Sequence, residues 1–160
     1  MAILKAKDLA AYIQKKYEEK KGMEISPIKL QKSLYFLFAY WGGLVQKSCT
    51  YPASVEENFS NYDRYLFEEE IEAWVYGPVV PCVYRENNIS AYYRDNLFDN
   101  LSKVKEFVDS LLNELFDTSD FTLVEIAHND EAWKNNFSHK SQFHNNIIPK
   151  EDIIQEYVAK

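Results

Sequence analysis

The sequence predicts a mainly α fold: a compact single-domain helical bundle around a buried central helix at about residues 27–44. Most segments carry apolar residues at helical spacing, one short stretch alternates with a period of two, and 160 residues suit one domain. The stretch near residues 66–76 is expected to form one short β-hairpin or strand. Apolar residues at 46% and charged residues at 27% exclude a disordered or collagen-like chain. We therefore treat residues 1–160 as one domain.

The first predicted helix covers residues 8–21. Its apolar stripe follows helical spacing and consists of Leu9, Tyr12, Ile13 and Tyr17. Gly22 stands where a C-terminal cap belongs. Lysines fill the last turns, where the helix dipole favours cations. Helix chemistry therefore accounts for much of the basic N-terminal region.

The central helix is predicted from its start signal and its apolar character. Ser26 suits the N-cap and Pro27 suits the first helical position. The segment that follows is apolar nearly all round, which is typical of a helix buried on several sides. The pair Gly42-Gly43 is expected to end it. Residues 45–66 have no clear period and are predicted to be irregular.

The β element is predicted from alternation. Polar and aromatic residues alternate with small apolar ones up to Tyr76, and Gly77-Pro78 is expected to stop the strand. Pro81 then starts a helix through about Asn87. Residues 88–99 are predicted to be irregular.

The remaining chain reads as helices separated by polar turns. Helical spacing predicts helices over residues 101–117, 121–128 with Asp120 as cap, 130–136 around Trp133, and from Pro149 to near the C-terminus. Residues 138–148 are predicted to form a polar loop.

Charge and cysteine content restrict the partners. The net charge is −7, and residues 48–80 hold seven acidic side chains and one basic one. An acidic chain repels phosphate, so we expect no direct binding to nucleic acid, and we expect a basic protein partner instead. The two cysteines have no metal-type spacing, so we expect free thiols. The sequence shows no signal peptide and no long apolar run, so we expect no membrane contact and a cytoplasmic location.

No motif in the sequence points to catalysis, a cofactor or a metal. His128, His139 and His144 match no common zinc spacing. Cys82 follows Pro81 at a predicted helix start, where the dipole would stabilise a thiolate, but no cue supplies the base that a nucleophile needs. The run Glu68-Glu69-Glu70 is typical of a solvated face. We expect a protein that is not an enzyme.

Three segments combine lysines, prolines and aromatics in a way that packing alone does not explain. They contain Ser26-Pro27; Lys29, Leu30-Gln31-Lys32, Leu34-Tyr35; Glu72-Ala73-Trp74; Tyr76-Gly77-Pro78-Val79 with Pro81 and Tyr84; and His128 with Trp133. In order and spacing these motifs resemble the Panacea domain family, which includes SocA-like antitoxins and phage-associated GepA-like proteins. The middle motif is the most specific. The chain departs from the family pattern at Ala132, where proline is expected, and at Ser33, where leucine is common.

The resemblance implies a compact helical domain that neutralises a cognate toxin by direct protein–protein binding. Family members occur beside varied toxins in bacteria and prophages, so this chain is expected to come from a prophage or other mobile element. One relative resembles a proteolytic adaptor, which adds a cytosolic protease as a possible partner. A phage protein that modulates a host protein is a further alternative.

The expected partner-binding surface joins the acidic run to rigid aromatic anchors. It consists of Glu68, Glu69, Glu70, Trp74, Tyr76 and Tyr84. The competing hypothesis is a small anionic-ligand-binding domain or an enzyme, with a pocket lined by Lys29, Lys32, Tyr76 and His128. The other residues of the family motifs have a structural or functional role: Gln31, Tyr35, Gly77, Pro78, Pro81 and Trp133.

Overall fold

The computed structural model describes residues 2–137 and 146–160. Its helices and strands are α1 (Ala6–Lys21), α2 (Pro27–Thr50), β1 (Glu72–Trp74), β2 (Gly77–Val79), α3 (Pro81–Tyr84), α4 (Ser102–Phe116), α5 (Asp120–His128), α6 (Glu131–Asn136) and α7 (Lys150–Val158). Short 3-10 turns lie at Pro52–Ser54 and Ile89–Tyr92. The prediction of a mainly α fold with one small hairpin is confirmed.

The central helix forms as predicted at its start but not at its end. The Ser26 side chain accepts a hydrogen bond from the Lys29 backbone N–H, and Pro27 occupies the first turn. The helix then continues through both glycines to Thr50, so the prediction that Gly42-Gly43 ends it is wrong. A Cβ at Gly43 would lie 2.7 Å from the carbonyl oxygen of Tyr157, so the glycines let α7 approach α2 closely.

The two strands form a minimal antiparallel hairpin. Glu72 pairs with Val79 and Trp74 with Gly77, so Val75 and Tyr76 form the turn. The prediction that Gly77-Pro78 stops the strand is therefore wrong, because this pair begins the second strand. Gly77 adopts φ +109°, a conformation that strongly favours glycine at the end of the turn.

The later helices largely follow the predicted boundaries. Ser119, and not Asp120, caps α5, since its hydroxyl accepts from the Thr122 N–H. Helix α3 is a single turn that ends at Tyr84 and not near Asn87. Most of the predicted polar loop at 138–148 lies outside the described residues.

The core surrounds the first two-thirds of α2. Leu34, Phe38 and Trp41 are completely buried there, and α7 packs on the same helix through Ile154. Tyr35 and Phe36 fill the neighbouring faces of α2, so burial on several sides is as predicted. The hairpin lies against the N-terminal half of this helix, which positions the site described next.

Candidate functional site

The backbone of β2 is bound by two side chains from α2. The amide of Gln31 both accepts from the Val80 N–H at 2.8 Å and donates to the Val80 carbonyl at 3.3 Å. The next residue, Lys32, donates from its ammonium to the Pro78 carbonyl at 3.1 Å. The side chains thus replace a third strand along β2. This explains physically why a Gln-Lys pair accompanies the Gly-Pro-Val motif.

Lys32 is buried to an unusual degree for a lysine. Its residue surface is 1% exposed, and burial lowers the pKa of its ammonium to about 8. A Cβ at Gly77 would lie 3.0 Å from Lys32 Cε, so the glycine also makes room for this side chain. The hydrogen bond from Lys32 therefore stabilises the position of the hairpin, and burying the charged ammonium costs desolvation free energy.

The turn end of the hairpin is bound by α5 and α6. The indole N–H of Trp133 donates to the Trp74 carbonyl at 2.8 Å, and His128 Nε2 lies 2.8 Å from the Val75 carbonyl. Because a carbonyl can only accept, Nε2 of His128 carries the proton in this contact. The two rings also pack together with centroids 4.3 Å apart. The expected His–Trp motif thus orients the turn of the hairpin.

Asp130, which is fully buried, ties α7 to α2. Its carboxylate accepts from the hydroxyls of Tyr35 and Tyr157, each at 2.5 Å, and from the Lys160 ammonium at 2.7 Å. Burial, together with the nearby negative charge, raises the pKa of both tyrosines. Tyr35 of the sequence motif therefore connects the central helix to Asp130 and has no free hydroxyl proton for a ligand.

The departure at Ala132 also has a structural reason. The backbone N–H groups of Glu131 and Ala132 donate to the Glu156 carboxylate at 2.8 and 2.9 Å. Proline at position 132 would remove one of these donors. The chain uses the N–H to attach α6 to α7.

Between these supports, the hairpin presents an exposed aromatic face. Val75 is 54% exposed, Tyr76 65% and Tyr84 60%. Trp74 is half-buried and packs edge-on against Tyr84, with ring centroids 4.9 Å apart, and its indole N–H donates to the Glu72 carboxylate. We call Trp74, Val75, Tyr76 and Tyr84 the hairpin face. Three of the six residues predicted for partner binding therefore lie together.

A cavity of about 340 Å³ opens beside the hairpin face. Ile28, Lys32, Trp74, Tyr76, Tyr84 and Phe137 contribute to its wall, which is mainly apolar. Lys29 does not line it, because its ammonium donates to the Phe116 carbonyl and pairs with Asp120. The cavity thus contains Lys32 and Tyr76 of the alternative pocket, while Lys29 and His128 have other contacts.

The acidic run lies towards α1 and α7. Glu69 accepts from the Ala6 N–H at 2.9 Å, so it caps the start of α1 where Lys5 supplies no side-chain cap. Burial lowers the pKa of Lys150, and the carboxylates of Glu70, Glu69 and Glu68 act in the opposite direction. Glu69 is therefore a structural residue that caps α1.

Cys82 and the candidate metal ligands of the described part of the chain show no arrangement for a thiolate nucleophile or a metal ion. Burial raises the pKa of the Cys82 thiol, which opposes the thiolate that a helix start would favour, and α3 is only one turn long. Within residues 2–137 and 146–160, no cluster of three or more histidine, cysteine or acidic residues could hold a metal ion. His139 and His144 lie outside this range.

The described helices also lack a membrane span. None of those in residues 2–137 and 146–160 combines the length and the apolar character that crossing a bilayer requires.

Fold and site together define a small, mainly α domain that holds a two-stranded hairpin with side chains of α2, α5 and α6, and that exposes aromatic side chains at and beside the hairpin turn. The family model described as antitoxin SocA-like, Panacea domain, matches residues 55–134, which is half of the chain. The chain belongs to this family of antitoxins. The match contains the hairpin, His128 and Trp133, whereas Gln31 and Lys32 precede it. No curated protein and no solved structure matches the chain.

Proposed function

We propose that this chain neutralises a cognate protein toxin by binding it directly, and that the hairpin face is the main contact. The observation that carries the proposal is the combination of exposed aromatics with a fixed backbone. Trp74, Val75, Pro78 and Val80 all have backbone carbonyls bound by side chains from neighbouring helices. Tyr76 lies within this fixed frame and is itself mostly exposed.

Such a face suits protein recognition because its backbone is already fixed before binding, so little conformational entropy is lost when the partner binds. Tyrosine and tryptophan are enriched among the residues that dominate binding energy, and each has few side-chain torsions to immobilise. A prefixed hairpin also avoids the entropy cost of ordering a loop. The adjoining cavity of about 340 Å³ is large enough for one or two apolar side chains of a partner.

Charge supports a basic partner. The chain has a net charge of −7, which accelerates encounter with a positively charged surface. Glu68 and Glu70 are exposed, and we assign them to this steering role. Glu69 is excluded from it because its carboxylate caps α1.

The proposal is tested with the product of a neighbouring gene whose expression arrests growth. Tyr76→Ala and Tyr84→Ala should each weaken the affinity of the purified pair by roughly 30-fold, the effect of losing a hot-spot side chain. The matched control is Tyr51→Ala, because Tyr51 is comparably exposed and lies on the turn after α2. All three variants should keep the melting temperature of the parent.

The same variants should show in cells whether binding alone is enough to neutralise the toxin. Growth should no longer be rescued by the Tyr76→Ala chain, while the Tyr51→Ala chain should still rescue it. An immunoblot of the toxin separates simple neutralisation, in which the toxin level is constant, from delivery to a protease, in which it falls. Unchanged affinity and rescue with both hairpin variants would reject the hairpin face as the contact.

A further inference from the structure

A second concave surface lies between α2, α4 and α5. This groove has a volume of about 750 Å³ and an apolar floor. Its apolar residues come from all three helices and include Phe36, Tyr40, Phe107, Leu111, Leu123 and Ile126. Ile126 is 41% exposed, so part of this apolar surface faces solvent. We call it the α4–α5 groove.

The wall formed by α4 is acidic. Glu106, Ser110 and Glu114 follow one another at intervals of four residues, so they form one stripe on the exposed side of the helix. At 1.5 Å per residue this stripe is about 12 Å long. Glu57 on the groove is paired with Lys103 at 2.5 Å, whereas Glu106 and Glu114 form no ion pair with any described residue. Three glutamates and one lysine line the groove, so it carries a net charge of −2 beside an apolar floor.

Helix α5 lies between the groove and the hairpin face. Ile126 lines the groove, and the next two residues turn to the hairpin: Ala127 lies beside Gly77, and His128 contacts the Val75 carbonyl. One helix of nine residues therefore separates the two surfaces. A single partner can cover both.

We propose that the α4–α5 groove receives a lysine- or arginine-bearing amphipathic helix of the toxin. This rests on the proposed function and adds the chemistry of the bound segment. A groove between two helices with an apolar floor is the usual receptor for the apolar face of a third helix. The stripe of Glu106 and Glu114 would pair with basic residues two turns apart on that helix, because both repeat at the same interval. Nucleic acid and anionic lipid are disfavoured because the same carboxylates repel phosphate.

The probe is a fluorescein-labelled synthetic peptide of 14 residues with leucines on one helical face and lysines on the other. It is compared with a scrambled peptide of the same composition and with a version in which glutamate replaces lysine. The full-length chain should bind the amphipathic basic peptide at least about 10-fold more tightly than either comparison peptide. Equal affinity for the scrambled peptide would overturn the proposal, because it would reduce the interaction to net charge.

The charge stripe is tested by the double variant Glu106→Lys/Glu114→Lys. It should lose at least about 10-fold in peptide affinity, while Glu18→Lys/Glu24→Lys, with the same change in net charge on exposed residues outside the groove, should lose little. Both should unfold at the parent's temperature, since neither pair is buried. Ile126→Ser changes the apolar floor without changing the net charge, and it should also lower the peptide affinity. Equal losses in both charge variants, or none, would overturn the proposal.

The toxin itself separates this proposal from the proposed function. If the Glu106→Lys/Glu114→Lys chain binds the toxin normally while Tyr76→Ala does not, the groove proposal fails and the hairpin proposal stands. If both lose affinity, both surfaces take part. A concentration-dependent dimer in sedimentation that the groove variants abolish would mean that a second copy of the chain occupies the groove, and would also overturn the proposal.

Discussion

The hairpin face and the α4–α5 groove are both exposed and partly apolar, but they are built differently. The hairpin is fixed through its backbone: Gln31, Lys32, His128 and Trp133 each contact a main-chain atom of Trp74–Val80. The groove is formed mainly by the side chains of three helices, and the residues along its acidic wall are exposed.

This difference explains where the family motifs fall. A short, irregular hairpin cannot hold its own shape, so the residues that fix it must be specific in type and position. A groove between helices needs only apolar and charged residues at helical spacing, which many sequences provide. We infer that the motif residues mostly preserve the frame, and that the exposed residues on both surfaces select the partner.

Removing the hydrogen bonds between Gln31 and the end of β2 should have the largest effect on stability. Gln31→Ala leaves the buried N–H of Val80 unpaired, while the Val80 carbonyl keeps the bonds it accepts from the Val83 and Tyr84 N–H groups, so we expect a loss of about 2 kcal/mol in the free energy of unfolding. Gln155→Ala, an exposed position on α7, should change it by less than about 0.5 kcal/mol. Urea denaturation measures both. A small effect of Gln31→Ala would mean that the hairpin is held by packing and not by these hydrogen bonds.

The buried ammonium of Lys32 should make the stability of the folded chain depend on pH. Burial lowers the pKa of Lys32 from 10.5 to about 8 in the folded chain. Between these values the unfolded chain binds a proton that the folded chain has lost, so stability rises with pH, by at most about 1.4 kcal/mol per unit. Below pH 8 both states are protonated and the contribution of Lys32 is constant.

This dependence is measured as the difference between the parent and Lys32→Met from pH 7 to 9.5. The upper limit avoids the tyrosines with raised pKa, such as Tyr12, which lower stability above about pH 10. The stability difference should change in favour of the parent above pH 8, and the exposed control Lys5→Met should give no such change. A constant difference across the range would contradict a buried, desolvated ammonium.

The sequence predicted the fold class and the local start and turn signals, but not the contacts between segments that are distant in the chain. Local signals identified the central helix start at Ser26-Pro27 and the turn region near Tyr76-Gly77, because capping and turn chemistry are local. The glycines of α2 were misread for the opposite reason. Their function is to let α7 approach closely, and that contact joins positions more than 100 residues apart.

The acidic surface was only partly predictable. Three adjacent glutamates look equivalent in the sequence, yet Glu69 caps a helix 63 residues away, while Glu68 and Glu70 are exposed. The α4–α5 groove was missed, although the spacing of Glu106, Ser110 and Glu114 was present in the sequence. Periodicity reveals a stripe, but it does not reveal which neighbouring helices leave a gap beside it.

The most direct test of the account is site-specific photo-crosslinking of the chain with its cognate toxin. A benzophenone amino acid is placed at Tyr76, at Tyr84 or at Met23, a comparably exposed control before α2. The account predicts efficient toxin crosslinks from positions 76 and 84 and only background from 23. Background crosslinking at both hairpin positions, in a complex that still forms, would contradict it.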